Sequence, residues 1–184
     1  MATYRRRLPH WHPVGQTLFL TWRLHDSLPR HRPFPKSSLT SGKAFVALDR
    51  LLEECRSGPL HLSRPEIAQV VVDALGYGQD TLRYYTLHAF VVMPNHVHVL
   101  LTPHVAVPKL LRTLKAFTAR RANQILGSTG KPFWQDESYD HVVRNEEEWQ
   151  RIRAYIEQNP VRAKLAPAAE QYRWSSAWKK EAGL

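Results

Sequence analysis

Cysteine is almost missing from this 184-residue chain. With Cys55 as the one thiol, an internal disulfide framework and a Cys-rich zinc site are both excluded. Long apolar runs are missing too. No stretch approaches the roughly 20 residues that a membrane span needs, and the arginine-rich start, Tyr4-Arg5-Arg6-Arg7, lacks the apolar segment of a secretory signal. The expectation is a cytoplasmic protein with no membrane partner. Repeats and low-complexity tracts are absent as well. Acidic residues are the third shortage, 16 Asp and Glu against 26 Lys and Arg. The resulting net charge of +10 points to a polyanion, either nucleic acid or an acidic membrane surface. An apolar content of 43% suffices to bury a core, so residues 1–184 are expected to form a single domain.

Residues 16–25 alternate as a strand does, with Leu18, Leu20, Trp22 and Leu24 on one face and Thr17, Thr21 and Arg23 on the other. A proline- and serine-rich loop is expected over 26–42, then a helix over about 43–57. A second helix is predicted from Ser63, whose Glu66 would complete a capping box with Pro65 in the first turn. The two helices would cover one face of a sheet. Strands are predicted over 82–93 and 96–102, a helix over 106–126 and a short strand over 139–143. A last helix is predicted from the cap Asn145, with Glu146, Glu147 and Glu148 suited to its dipole. It should stop near Asn159, because Pro160 disfavours helical geometry in the residue before it. The order is the β-α-β-β-α-β ferredoxin-like plan of an α+β protein, with one added C-terminal helix.

The chemistry-bearing pattern is His96-Val97-His98 in the run Phe90 to Leu101, two apolar strands joined by the turn Met93-Pro94-Asn95. Residues i and i+2 of a strand project from one face, which is how a sheet presents a metal. Two satisfied histidines on a half-buried strand would give the same pattern. On the last helix, Tyr155 and Asn159 are four apart and share a face, so a phenol and an amide oxygen could stand beside one metal. Separately, each is also an ordinary core tyrosine or helix terminator.

Helical geometry over 106–126 puts Leu110, Leu114, Phe117 and Ile125 toward the core and Lys109, Arg112, Lys115 and Arg120 on the opposite arc, where they suit phosphates. Arg5, Arg6 and Arg7 form a second candidate DNA contact. Arg121 falls toward the apolar side, from which it would reach inward. Six Trp and seven Tyr supply stacking candidates for unpaired bases.

The set Met93-Pro94-Asn95-His96-Val97-His98, Phe133-Trp134-Gln135, His141-Val142-Val143-Arg144, Tyr155-Ile156-x-x-Asn159-Pro160-Val161-Arg162-Ala163 and Tyr172-x-Trp174-Ser175-Ser176 resembles the REP-associated tyrosine transposases. These belong to the single-tyrosine branch of the HUH endonucleases, alongside the small insertion-sequence transposases. The chain departs from the pattern at Lys164, where glycine is expected, and over 26–82, which aligns with no family motif. Residues 166–184 form a C-terminal tail.

The resemblance implies that His96, His98 and Asn159 hold Mg²⁺ or Mn²⁺ and that Tyr155 is the nucleophile. Single-stranded or hairpin DNA with REP-like palindromes would be nicked and rejoined through a 5′-phosphotyrosine. It implies further a nucleoid-associated protein working as monomer or homodimer. The alternative is a catalytically inactive, domesticated DNA- or RNA-binding protein with the same fold. A cupin-type metal enzyme also carries His-x-His on a strand, but it would need a glutamate and a third histidine on an all-β barrel.

Overall fold

The computed structural model describes residues 14–28 and 58–179. The helix expected over 43–57 and the candidate DNA contacts Arg5, Arg6 and Arg7 lie outside the described residues. Four strands form one antiparallel sheet: β1 (Leu18–Leu24), β2 (Tyr85–Val92), β3 (His96–Pro103) and β4 (Trp134–Val142), in the order β2-β3-β1-β4. That is the strand order and polarity of the ferredoxin-like plan. Helix α1 (Pro65–Asp80) precedes β2, α2 (Val107–Leu126) joins β3 to β4, and α3 (Glu146–Arg162) follows β4.

Each face of the sheet has its own core. Leu18, Leu20, Trp22 and Leu24 of β1 pack with Val97, Val99 and Leu101 of β3 beneath Ile67, Val71 and Leu75 of α1 and Leu110 and Leu114 of α2. On the other face Phe19, Ala89, Val91 and Leu100 pack beneath Ile156 of α3, with Met93 beside them. Strand alternation therefore serves two apolar layers, so β1 and β3 are buried almost throughout.

Several boundaries differ from expectation. Helix α1 is capped by Arg64, which makes no side-chain cap bond, and Ser63 ends a short 3₁₀ turn instead of opening a capping box. Pro65 at the first helical position fixes that start, and Glu66 accepts from Arg64 Nε at 2.8 Å. Strand β4 begins at Trp134, five residues before the predicted start, because Phe133 and Trp134 are core residues. Trp134 Nε1 donates to Thr118 Oγ1 of α2 at 2.8 Å. Helix α3 runs through Pro160 to Arg162. A proline in the last turn forfeits one backbone bond there, and Ala163 N still donates to Asn159 O at 3.0 Å. Just beyond, Lys164 has φ +58°, the left-handed geometry in which glycine is at ease. Glycine is the residue expected at this position from the resemblance.

Phe117 and Ile125 of α2 are exposed, because the buried stripe follows Val107, Leu110, Leu114, Thr118 and Ala122. The β2 edge is closed by the Tyr172–Ser176 motif. Trp174 O accepts from Val92 N at 2.8 Å, Ser176 N donates to Phe90 O at 2.9 Å, and the Tyr172 hydroxyl donates to Val92 O at 2.9 Å. Burial pushes the Tyr172 phenol well above its ordinary pKa, so that donor stays protonated.

Candidate active site

The sheet face under α3 carries the polar groups. The register pairs Thr21 with His98 and Tyr139, His98 with Val91, and Arg23 with His96, so these side chains form two adjacent rows on one face. The tight turn before β3 is closed by Met93 N donating to His96 O at 2.8 Å, and Asn95 O accepts from Leu24 N at 2.8 Å. Both histidines therefore follow a turn that is anchored to β1 and to the start of β3. Their rings lie 4.6 Å apart between centroids.

Each imidazole has its Nδ1 engaged. His96 Nδ1 donates to Asn95 Oδ1 at 2.6 Å, and His98 Nδ1 pairs with Thr21 Oγ1 at 2.7 Å. An amide oxygen only accepts, so His96 carries a proton on Nδ1, and the neutral ring then presents a lone pair at Nε2. The same tautomer at His98 makes Thr21 the acceptor. Partners of this kind orient metal-binding imidazoles.

Helix α3 lowers Tyr155 and Asn159 onto the same face. The Tyr155 ring is 5.9 Å from that of His98 and 6.2 Å, edge-on, from that of Phe19. His96 Nε2, His98 Nε2, the Tyr155 hydroxyl and Asn159 Oδ1 are all buried polar atoms. His98 and Asn159 are 0% exposed and His96 is 1% exposed. Two imidazole nitrogens and one amide oxygen form a neutral donor set that fits a divalent cation with positions left over for oxygen ligands. Among the described residues there is no group of three or more His, Cys, Asp or Glu suited to a metal, so the amide of Asn159 is essential to this fit.

The start of α3 is fixed by Glu148. Asn145 Oδ1 accepts from Glu148 N at 2.8 Å, while the Glu148 carboxylate accepts from Arg144 N at 2.8 Å and from His141 Nε2 of β4 at 2.9 Å. Burial raises the pKa of this carboxyl, but the bonds from Arg144 N and His141, with the nearby charges, outweigh it and the net shift is downward. A depressed folded pKa adds stability above the unfolded value of about 4.3, and this is lost as pH falls through the folded pKa. Glu148→Gln is expected to cost about 1–2 kcal/mol at pH 7 by denaturant titration. The difference from the parent protein should close as pH falls through the depressed folded pKa; a gap independent of pH would show that ionisation of Glu148 plays no part.

The predicted basic arc lies elsewhere. Helix α2 packs with α1 on the face opposite to α3, and Lys109, Arg112 and Arg120 are exposed on its outer side. Lys115 Nζ donates to Gln135 O and Asp136 O at 2.8 and 3.1 Å and so fastens the start of β4. Arg121 is exposed and donates to Gln124 Oε1 at 3.3 Å, so it does not reach inward: the sheet separates it from the site. Two arginines near the histidines were not singled out by helical or strand patterning. Arg23 sits beside His96 on β1, its pKa lowered by burial against the opposing influence of Glu137 and Asp26. Arg162 lies over the Tyr155 ring at 4.8 Å from its centroid. Strand alternation placed Arg23 on the Thr21 face, and a count of seven from Tyr155 would have found Arg162.

Residues 79–159 match the family profile described as IS200-like transposase. Among solved structures, a REP-associated tyrosine transposase described as bound to a REP hairpin aligns at 19% identity and TM-score 0.56, over 96% of this chain and 82% of the other. A candidate transposase from Deinococcus radiodurans R1 aligns at 18% identity and TM-score 0.36, over 84% of this chain and 98% of the other. No curated protein matches. His96, His98, Tyr155 and Asn159 all lie inside the segment that is similar to the IS200-like transposases.

Proposed function

We propose that this protein is a metal-dependent single-stranded DNA endonuclease and transposase that nicks and rejoins hairpin-containing DNA through a 5′-phosphotyrosine on Tyr155. The observation that supports this reading is that two oriented imidazoles stand 4.6 Å apart between ring centroids with the Tyr155 ring 5.9 Å from His98, while Asn159 is fully buried one turn further along the same helix. The solved relative with the same fold is described with a REP hairpin, which makes a REP-like hairpin the first substrate to try.

His96 Nε2, His98 Nε2 and Asn159 Oδ1 would hold the cation. Mg²⁺ or Mn²⁺, when bound, supplies a positive charge that offsets charge developing on a phosphodiester. The chain's own part is nucleophilic. The Tyr155 oxygen attacks phosphorus, a bond forms between them, the bond to the 3′-oxygen breaks, the phenol proton leaves and the departing 3′-oxygen takes one up. A second 3′-hydroxyl reverses these events, because the tyrosyl ester retains a phosphodiester linkage. No nucleotide cofactor is needed.

The direct test is incubation of the full chain with single-stranded REP hairpin oligonucleotides labelled at the 3′ end and Mn²⁺, followed by a denaturing gel. A protein band carrying the label is expected. Hairpin binding with no adduct would instead leave a DNA-binding protein that has lost the reaction.

The exposed arc of α2 gives a separate expectation about binding. If Arg112 and Arg120 meet backbone phosphates, Arg112→Ala with Arg120→Ala weakens binding to all hairpins alike. Each lost contact to a single strand lowers the slope of log affinity against log salt by roughly 0.7. An unchanged slope, measured by binding titrations at several salt concentrations, would assign the arc to solvent.

A further inference from the structure

Helix α3 continues beyond Asn159 to Arg162, and the function proposed above leaves Arg162 without a role. Arg162 is three residues past Asn159 and seven past Tyr155, so the three side chains lie along one stripe of α3. Its guanidinium stacks on the Tyr155 ring, 4.8 Å from the centroid, and its own side chain is exposed. A cation is thus held against the nucleophile's ring at the boundary between the buried site and solvent. A basic residue in a last helical turn also favours the helix dipole, but that role needs no contact with this ring.

We propose that Arg162 binds the scissile phosphodiester of the reaction, an assignment that rests on the function proposed above. A phosphate poised for attack lies about 3–3.5 Å from the attacking oxygen, which brings its non-bridging oxygens within a guanidinium's reach of the ring it covers. The planar fork of arginine matches two phosphate oxygens, and the charge meets the phosphate as negative charge builds on it. As the bond from the Tyr155 oxygen to phosphorus forms and the bond to the 3′-oxygen breaks, Arg162 neither gives nor takes a proton. It holds the phosphate's orientation.

The test compares the full chain with Arg162→Gln and Arg162→Lys on 3′-labelled REP hairpin oligonucleotides at saturating concentration with Mn²⁺. One set carries the ordinary phosphodiester at the cleavage position, and the other carries an uncharged methylphosphonate there. With the phosphodiester, Arg162→Gln is expected to form adduct about 100-fold more slowly, and Arg162→Lys to fall between it and the parent protein. With the methylphosphonate, the parent and Arg162→Gln rates should converge to within a few-fold, because the charge that arginine answers has gone. Thermal melting of both variants reports folding, and Arg162→Lys keeps a cation at the helix end if the glutamine variant is unstable. A rate within twofold of the parent, or an equal loss on both linkages, overturns the assignment and leaves the proposed function standing. Absence of adduct in the parent protein itself overturns both.

Discussion

Tyr155→Phe is expected to eliminate the covalent protein-DNA adduct while leaving the fold and hairpin binding nearly unchanged. The ring makes edge contacts with Phe19 and His98 and carries Arg162 on its face, and phenylalanine preserves all of that surface. Only the hydroxyl goes. Loss of a covalent nucleophile cannot be made good by the groups around it, so adduct formation should drop by at least about 10⁴-fold, below detection on a gel. Melting temperature and hairpin affinity should move little. Tyr139 provides the internal control, since it packs against the same Phe19 at 6.2 Å and stands in the Thr21 row of the sheet. Adduct persisting in Tyr155→Phe and vanishing in Tyr139→Phe would transfer the nucleophile's role from the helix to β4.

The sequence made one half of this site easier to read than the other. His96 and His98 follow from strand alternation alone, and the Met93-Pro94-Asn95 turn locates the start of β3 to the residue. Tyr155 and Asn159 follow from helical spacing, although Pro160 suggests an end to α3 that packing overrides. What local pattern cannot supply is the side of the sheet on which a helix lands. Both faces of β1 are buried, and alternation separates its apolar face from the face of Phe19, Thr21 and Arg23 without saying which helices cover each. For that reason the basic arc of α2 looks compatible with a contact next to the histidines, whereas the sheet stands between them. Lys115 shows the same limit: helical geometry places it on a phosphate-facing arc, and the carbonyls of Gln135 and Asp136, which take up its ammonium, come from a strand twenty residues away. Long-range partners of this kind, including Thr21 for His98 and His141 for Glu148, depend on register and are visible only once the sheet is assembled.

Removing either imidazole should separate metal chemistry from DNA binding. Each ring has its Nδ1 held, by Asn95 in one case and Thr21 in the other, which fixes the ring and leaves its Nε2 buried on the sheet face beneath α3. The proposed donor set of three residues leaves little redundancy. His96→Ala and His98→Ala are each expected to weaken Mn²⁺ affinity more than about 100-fold, beyond the 10–100-fold typical of losing a residue that merely orients a ligand, and to abolish adduct formation at micromolar metal. Thr21→Val, which leaves both imidazoles in place but removes the partner of His98 Nδ1, should fall in that 10–100-fold range. Direct Mn²⁺ binding, followed by the paramagnetic resonance of the free ion, reads this order without relying on activity. Raising Mn²⁺ should restore adduct in Thr21→Val far more readily than in either alanine variant. Excess chelator should silence the parent protein while hairpin binding continues through the positively charged surface. If full cleavage persists in chelator, the two histidines are structural, and the Tyr155 hydroxyl would then need another means of activation, for which the neighbouring Arg162 is the group already in contact with its ring.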